Sequence, residues 1–352
     1  MRKHPVIALI VVTAVVAGFL AGSLQPVVGG KQADSAKIKG WRAGVGWGWI
    51  WGKEDEVGAL NAMTNETVRD AMRLASQGKV YDLGITYSRN SYKWHGHSPG
   101  EVLMFRSPEG EKRQLDLPFM QPDANPQGLG WHSCALFIND NVATQIDGLG
   151  HVTIGIDNHW YNGYKESDWG GNFGVRKCDA TTIPPIVARG VMLDIAALHK
   201  VDALPAHYGI TPRDIDRARR AQKIQLRPGD VVLVRTGTLR YWDKDGANHK
   251  KVAEHDSAGI TLTTAKYLVE KFGAIMIGSD TSGLEQSPAP DGSDVFVPVH
   301  KYLLIEQGVH IAEFHYLEDL SRDKVYEFCY VASTNKIAGT TAGFTMRPLA
   351  IR

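Results

Sequence analysis

Cysteine is scarce: Cys134, Cys178 and Cys329 are the only three in 352 residues. An odd number at these spacings fits neither a zinc ribbon nor a CxxC redox motif. An oxidising compartment would permit one disulfide with a thiol left over, but three small apolar residues packed inside is the plainer reading. Excess charge is lacking too, with Lys+Arg 39 against Asp+Glu 38 and a formal net charge of +1. No basic face then exists to neutralise phosphates, so nucleic acid is not an expected partner. Gly 37 and Pro 16 leave no collagen-like or low-complexity excess, and no internal repeat of solenoid period is present. Beyond the N-terminus no second long hydrophobic run follows, which excludes a multi-pass membrane protein.

What is present is globular: 43% hydrophobic and 22% charged residues, in a chain long enough to bury a large core. The first 22 residues run from a basic head (Arg2, Lys3, His4) through an apolar stretch, Val6 to Ala21, to the small residues Ala21-Gly22-Ser23. That layout reads as a signal peptide and implies export to the periplasm or beyond, with an uncleaved N-terminal membrane anchor as the alternative. Residues 1–35 are therefore set apart as leader plus polar tether, and 36–352 as one domain.

Within that domain the elements alternate. Thr64 is placed to cap a helix whose apolar residues Val68, Ala71, Met72 and Ala75 share a face and which stops at Gly78. Thr211-Pro212 opens a second helix, with Asp214 in its first turn. Val231 to Val234 reads as a buried strand after the turn Pro228-Gly229-Asp230. A helix over 263–272 closing at Gly273 leads to a strand from Ala274 to Gly278, and a helix over 299–307 leads through Gly308 to a strand from Val309 to Ala312. Repeated strand-helix-strand units give an α/β fold on a mixed, partly parallel sheet with flanking helices. Between Trp41 and Trp51 four tryptophans lie among glycines. Gly44-Val45-Gly46 is no dinucleotide fingerprint, because neither a strand nor a helix frames it.

The segment Asn141 to His151 carries the chemistry. Read as a strand, it puts Asn141, Ala143, Gln145 and Asp147 on one face, so three of the four offer polar oxygens. Gly148 and Gly150 allow a tight turn that swings His151 back over Asp147. A carboxylate, an amide oxygen and a nearby imidazole suit a divalent metal with an activated water; a polar strand end capped by a turn would show the same residues.

This stretch resembles the metal motif of the cyclase family of metal-dependent hydrolases, which includes kynurenine formamidase, isatin hydrolase and trans-dienelactone hydrolase, in the variant T-Q-x-D-x-x-x-H of its longer members. Trp51 to Asn61, Gly190 to Asp194, Val234 to Gly237, Ile277 to Thr281 and Arg347 to Ala350 resemble further family segments in family order. The resemblance implies the family's swivelling β/β/α fold, and metal ligation by Asp147 and Gln145, with Asn141 at the place of a family histidine. It also implies His300 and Glu313 as the second pair of ligands, and His151 as proton shuttle. Amides in place of two imidazoles imply a single ion, zinc or manganese. The expected reaction is hydrolysis of a small cyclic amide, formamide or lactone in a homo-oligomer, with Trp51 and Tyr161 walling the substrate pocket. An exported, non-catalytic binder of a metal or aromatic metabolite is the alternative. His95-Gly96-His97 alternates like a metal clip but sits in a polar loop, where substrate contact is the better reading.

Overall fold

The computed structural model describes residues 50–242, 248–290 and 292–352; the segments expected to be leader and tether, and all of the tryptophan-glycine segment before Ile50, lie outside them. Thirteen strands follow in chain order: β1 Val80–Asp82, β2 Gly100–Arg106, β3 Ser133–Ile138, β4 Gln145–Asp147, β5 Ile186–Asp194, β6 Gly209–Ile210, β7 Val231–Arg235, β8 Gly259–Ile260, β9 Met276–Ser279, β10 His310–Glu313, β11 Glu327–Ala332, β12 Ala342–Gly343 and β13 Leu349–Ile351. Nine of them form one mixed sheet in the order β1-β13-β11-β5-β7-β9-β10-β4-β12. Its centre, β5-β7-β9-β10, is parallel, while β4 joins β10 antiparallel. The remaining strands make the pairs β2-β3 and β6-β8.

The parallel centre is enclosed: all five residues of β7 and all four of β9 are buried, as parallel sheets generally are. The helix Asn65–Met72 starts in a capping box formed by Thr64 and Thr67, and Pro212–Ala221 in one formed by Thr211 and Asp214. Two helices depart from the expected form. Leu262–Lys266 and Pro298–His300 begin as α-helix and continue as π-helix over Tyr267–Lys271 and Lys301–Gln307. The expected strand from Asn141 is also shorter, since Ala143 has φ +58 and extended pairing begins only at Gln145. Cys134 is exposed on β3, contrary to the expected burial, while Cys178 and Cys329 are buried, and all three thiols are free.

The carboxyl ends of the parallel strands gather the polar side chains, the usual place for function in such sheets. There Asp280 accepts hydrogen bonds from the backbone N–H groups of Thr236 and Gly237, both at 2.7 Å, which ties the ends of β7 and β9 together. Burial pushes its carboxyl up to about 6. No helix among the described residues is long and apolar enough to cross a membrane.

Candidate metal centre

The centre is built by strand register. β4 and β10 pair antiparallel with Gln145 opposite Glu313 and Asp147 opposite Ile311, so Gln145, Asp147 and Glu313 project from the same face. The Gln145 amide nitrogen donates to Glu313 Oε2 at 2.7 Å and to Asp147 Oδ1 at 3.3 Å. Asn141 donates its side-chain amide to Asp147 Oδ1 at 2.9 Å. These amides occupy one oxygen of each carboxylate. Asp147 Oδ2, Glu313 Oε1 and Gln145 Oε1 are left buried with no hydrogen-bond partner.

His300 closes the set from the third side. Its Nε2 lies 3.6 Å from both Asp147 Oδ2 and Glu313 Oε1, while its Nδ1 bonds Glu285 Oε1. Glu285 also accepts the backbone N–H groups of Val299 and His300 at 3.0 and 2.9 Å, so one carboxylate caps the helix start and fixes the imidazole. Ligand atoms of Asp147, His300 and Glu313 all lie within 4.8 Å of one another.

Electrostatics here follow from burial and crowding. Burial opposes ionisation of Asp147, but the His151 and His300 charges outweigh it and hold its carboxyl below the usual range. Burial, then the neighbouring Asp147 charge, pushes Glu313 well up. Burial also works against a charged His300, yet Asp147, Glu285 and Glu313 raise its pKa well above that of a free imidazole. Buried oxygens without donors cost about 1–3 kcal/mol each, and a divalent cation between Asp147, Glu313 and His300 would satisfy both carboxylate oxygens at once. Two carboxylates, an amide oxygen and an imidazole are donors that zinc and manganese both accept. The residues present fit the implied metal.

His151 follows β4 through a tight turn in which its N–H bonds Gly148 O at 3.1 Å. A Cβ on Gly148 would stand 2.6 Å from Thr341 O, so glycine is what lets the turn pass this close to β12. The His151 ring lies 6.5 Å from that of His300, centroid to centroid. Both rings, with Glu285 and Glu313, line a cavity of about 520 Å³. His97 lines it too, and burial lowers its pKa.

Two expected substrate contacts are not brought here. Tyr161 is 0% exposed in the main core, with its hydroxyl donating to Asp55 Oδ2 at 2.8 Å. Trp51 packs against the same core. Neither lines the cavity; aromatic composition indicated apolar walls but not which rings would face them. Its aromatic walls are Tyr92, Trp94 and Phe296 instead. No motif in the sequence marks Glu285, because its partners lie 14 and 15 residues on, at no recognisable spacing.

Fold and site together define an α/β protein with a candidate divalent-metal centre at the carboxyl ends of its parallel strands. The family model described as putative cyclase matches residues 81–286. The chain belongs to this cyclase family. It is similar to the solved structure of a novel cyclase, with 27% identity over 86% of this chain and 97% of that one and a TM-score of 0.73. It also shares its fold with isatin hydrolase A from Labrenzia aggregata, at 16% identity over 80% of this chain and 98% of that one, TM-score 0.53. For isatin hydrolase A from Ralstonia solanacearum the corresponding values are 17%, 82%, 98% and 0.54. No curated protein matches the chain.

Proposed function

We propose that the protein is a metal-dependent hydrolase of a small cyclic amide, formamide or lactone. The observation that carries this reading is the convergence of two unpartnered buried carboxylate oxygens, on Asp147 and Glu313, with His300 Nε2, beside the buried amide of Gln145, at a cavity that also presents His151. Gln145, Asp147, His300 and Glu313 would hold the ion, zinc or manganese, which polarises a carbonyl and acidifies water when bound. Asn141 and Gln145 hold the carboxylates by their second oxygens, and Glu285 presents His300 in one tautomer. His151 takes the proton from the attacking water and returns it to the leaving nitrogen or oxygen.

The test is metal content and turnover of formamides, cyclic imides and lactones before and after chelation, in the protein and in His151→Ala. We expect chelation to abolish turnover. We expect His151→Ala to lower kcat by about 10²–10⁴ while retaining metal. Tight metal without turnover of any of these classes would favour the non-catalytic binder, and loss of metal in His151→Ala would remove its role as shuttle.

Two readings accompany this one. The basic-then-apolar N-terminal segment supports export, by cleaved signal or as an anchor. The ribbon β2-β3 supports self-association. Val102, Leu103, Met104, Phe105, Leu136 and Phe137 are 36–70% exposed on it, and a two-stranded ribbon open on both faces is marginally stable alone.

A further inference from the structure

The cavity has a second polar wall away from the metal ligands, and its centre is Asp256. This residue ends the helix His249–His255 as its C-cap, where the helix dipole disfavours an anion. It is only 9% exposed, and burial pushes its carboxyl up. No Lys, Arg or His among the described residues is hydrogen-bonded or ion-paired to it. Its partners are the Ser282 N–H, which donates to Oδ1 at 2.7 Å, and the Ser282 and Tyr92 hydroxyls, which donate to Oδ2.

A carboxyl group at a helix C-terminus, buried and without a cation, carries a desolvation cost. Its donors divide between the two oxygens, one on Oδ1 and two on Oδ2. A carboxylate offers about four acceptor positions, and the three named donors leave one. Asp256, Ser282 and Tyr92 all line the cavity, as do Glu285 and Glu313, whereas no Lys or Arg does among the described residues. The rings of Trp94 and Phe296, 45% and 80% exposed, stand on the same cavity. A cation on an apolar body finds there both a charge-assisted acceptor and aromatic faces.

We propose that Asp256 is the specificity-determining residue of this cavity, and that it receives the protonated amine of an aromatic substrate whose other end reaches the metal centre. This deepens the hydrolase reading, because it takes the cavity to be the substrate site, but its test does not depend on turnover. Calorimetric titration of the metal-bearing protein would use 2-phenylethylamine and benzyl methyl ether, which share a ring and differ in charge. The amine is expected to bind at least about tenfold more tightly than the ether. Asp256→Asn should remove the preference for the amine. Ser282→Ala keeps the carboxylate and should retain it.

Equal binding of amine and ether by the unaltered protein would overturn the proposal whatever the variants do. So would an amine preference that survives Asp256→Asn, which would place the amine on the metal centre. Equal loss in Ser282→Ala and Asp256→Asn would overturn it as well, by reducing Asp256 to an anchor for the loop. An amine preference that depends on Asp256 in a protein without hydrolytic turnover would uphold the subsite and remove the hydrolase reading alone.

Discussion

His310 shows what a single buried side chain does to the pH dependence of the whole. It is 0% exposed on β10, and neither ring nitrogen has a hydrogen-bond partner. Burial lowers its pKa to about 3, against about 6.5 in an unfolded chain. Above pH 6.5 both states are neutral and the folded state loses nothing. As pH falls from 6.5 towards 3, the unfolded state binds a proton that the folded state refuses, so stability declines by roughly 1 kcal/mol per pH unit. Urea unfolding between pH 4.5 and 7.5 should show this slope, and His310→Leu should flatten it; an unchanged slope would place the acid sensitivity elsewhere. At this scale the sequence was legible where chemistry is local. Asp147 and Gln145 share a face because a strand has period two, and the turn at Gly148 and Gly150 brings His151 back. It was not legible for Asp256 or Glu285, whose partners come from other elements, nor for Tyr161, whose ring could equally face core or cavity.

Among the elements, the starts of helices were the most legible parts. Thr64 and Thr211 cap as their side chains dictate, because a cap is a contact over three residues. The π-helical continuations over Tyr267–Lys271 and Lys301–Gln307 were not, since the apolar spacing of so short a segment fits either winding. The joint between the second of these helices and β10 is Gly308, at φ +64, where an added Cβ would lie 2.6 Å from the Tyr161 ring and 3.1 Å from Gly58 Cα. Gly308→Ala should therefore combine left-handed strain with overpacking and cost roughly 2–4 kcal/mol, read as a lower midpoint in chemical denaturation. A loss under 0.5 kcal/mol would mean that the joint yields freely.

For the whole molecule, the mixed sheet followed from the alternation of strands and helices, but its order could not be read from sequence, because pairing of β4 with β10 and β12 depends on partners far along the chain. The ribbon β2-β3 was equally silent: its exposed apolar residues look like any strand until both faces are seen to be open. Their exposed surface is on the order of 600 Å² per copy, near what each partner contributes to a standard interface. Sedimentation should accordingly find at least a dimer, and the double variant Phe105→Asp, Phe137→Asp should shift it to monomer with its unfolding midpoint little changed; a monomeric starting protein would refute the association. The sheet order also bears on how the chain is made. Gln145 and the Glu313 side chain it bonds are 168 residues apart in sequence, an interval of roughly 10–30 s of synthesis at ribosomal speed. During that time β4 waits without its neighbours, and the oxygens proposed to hold the ion are brought together only when most of the polypeptide has emerged. Loading with the proposed metal would thereby be a late event in biogenesis, and whichever compartment receives the nearly finished chain would decide which ion it meets.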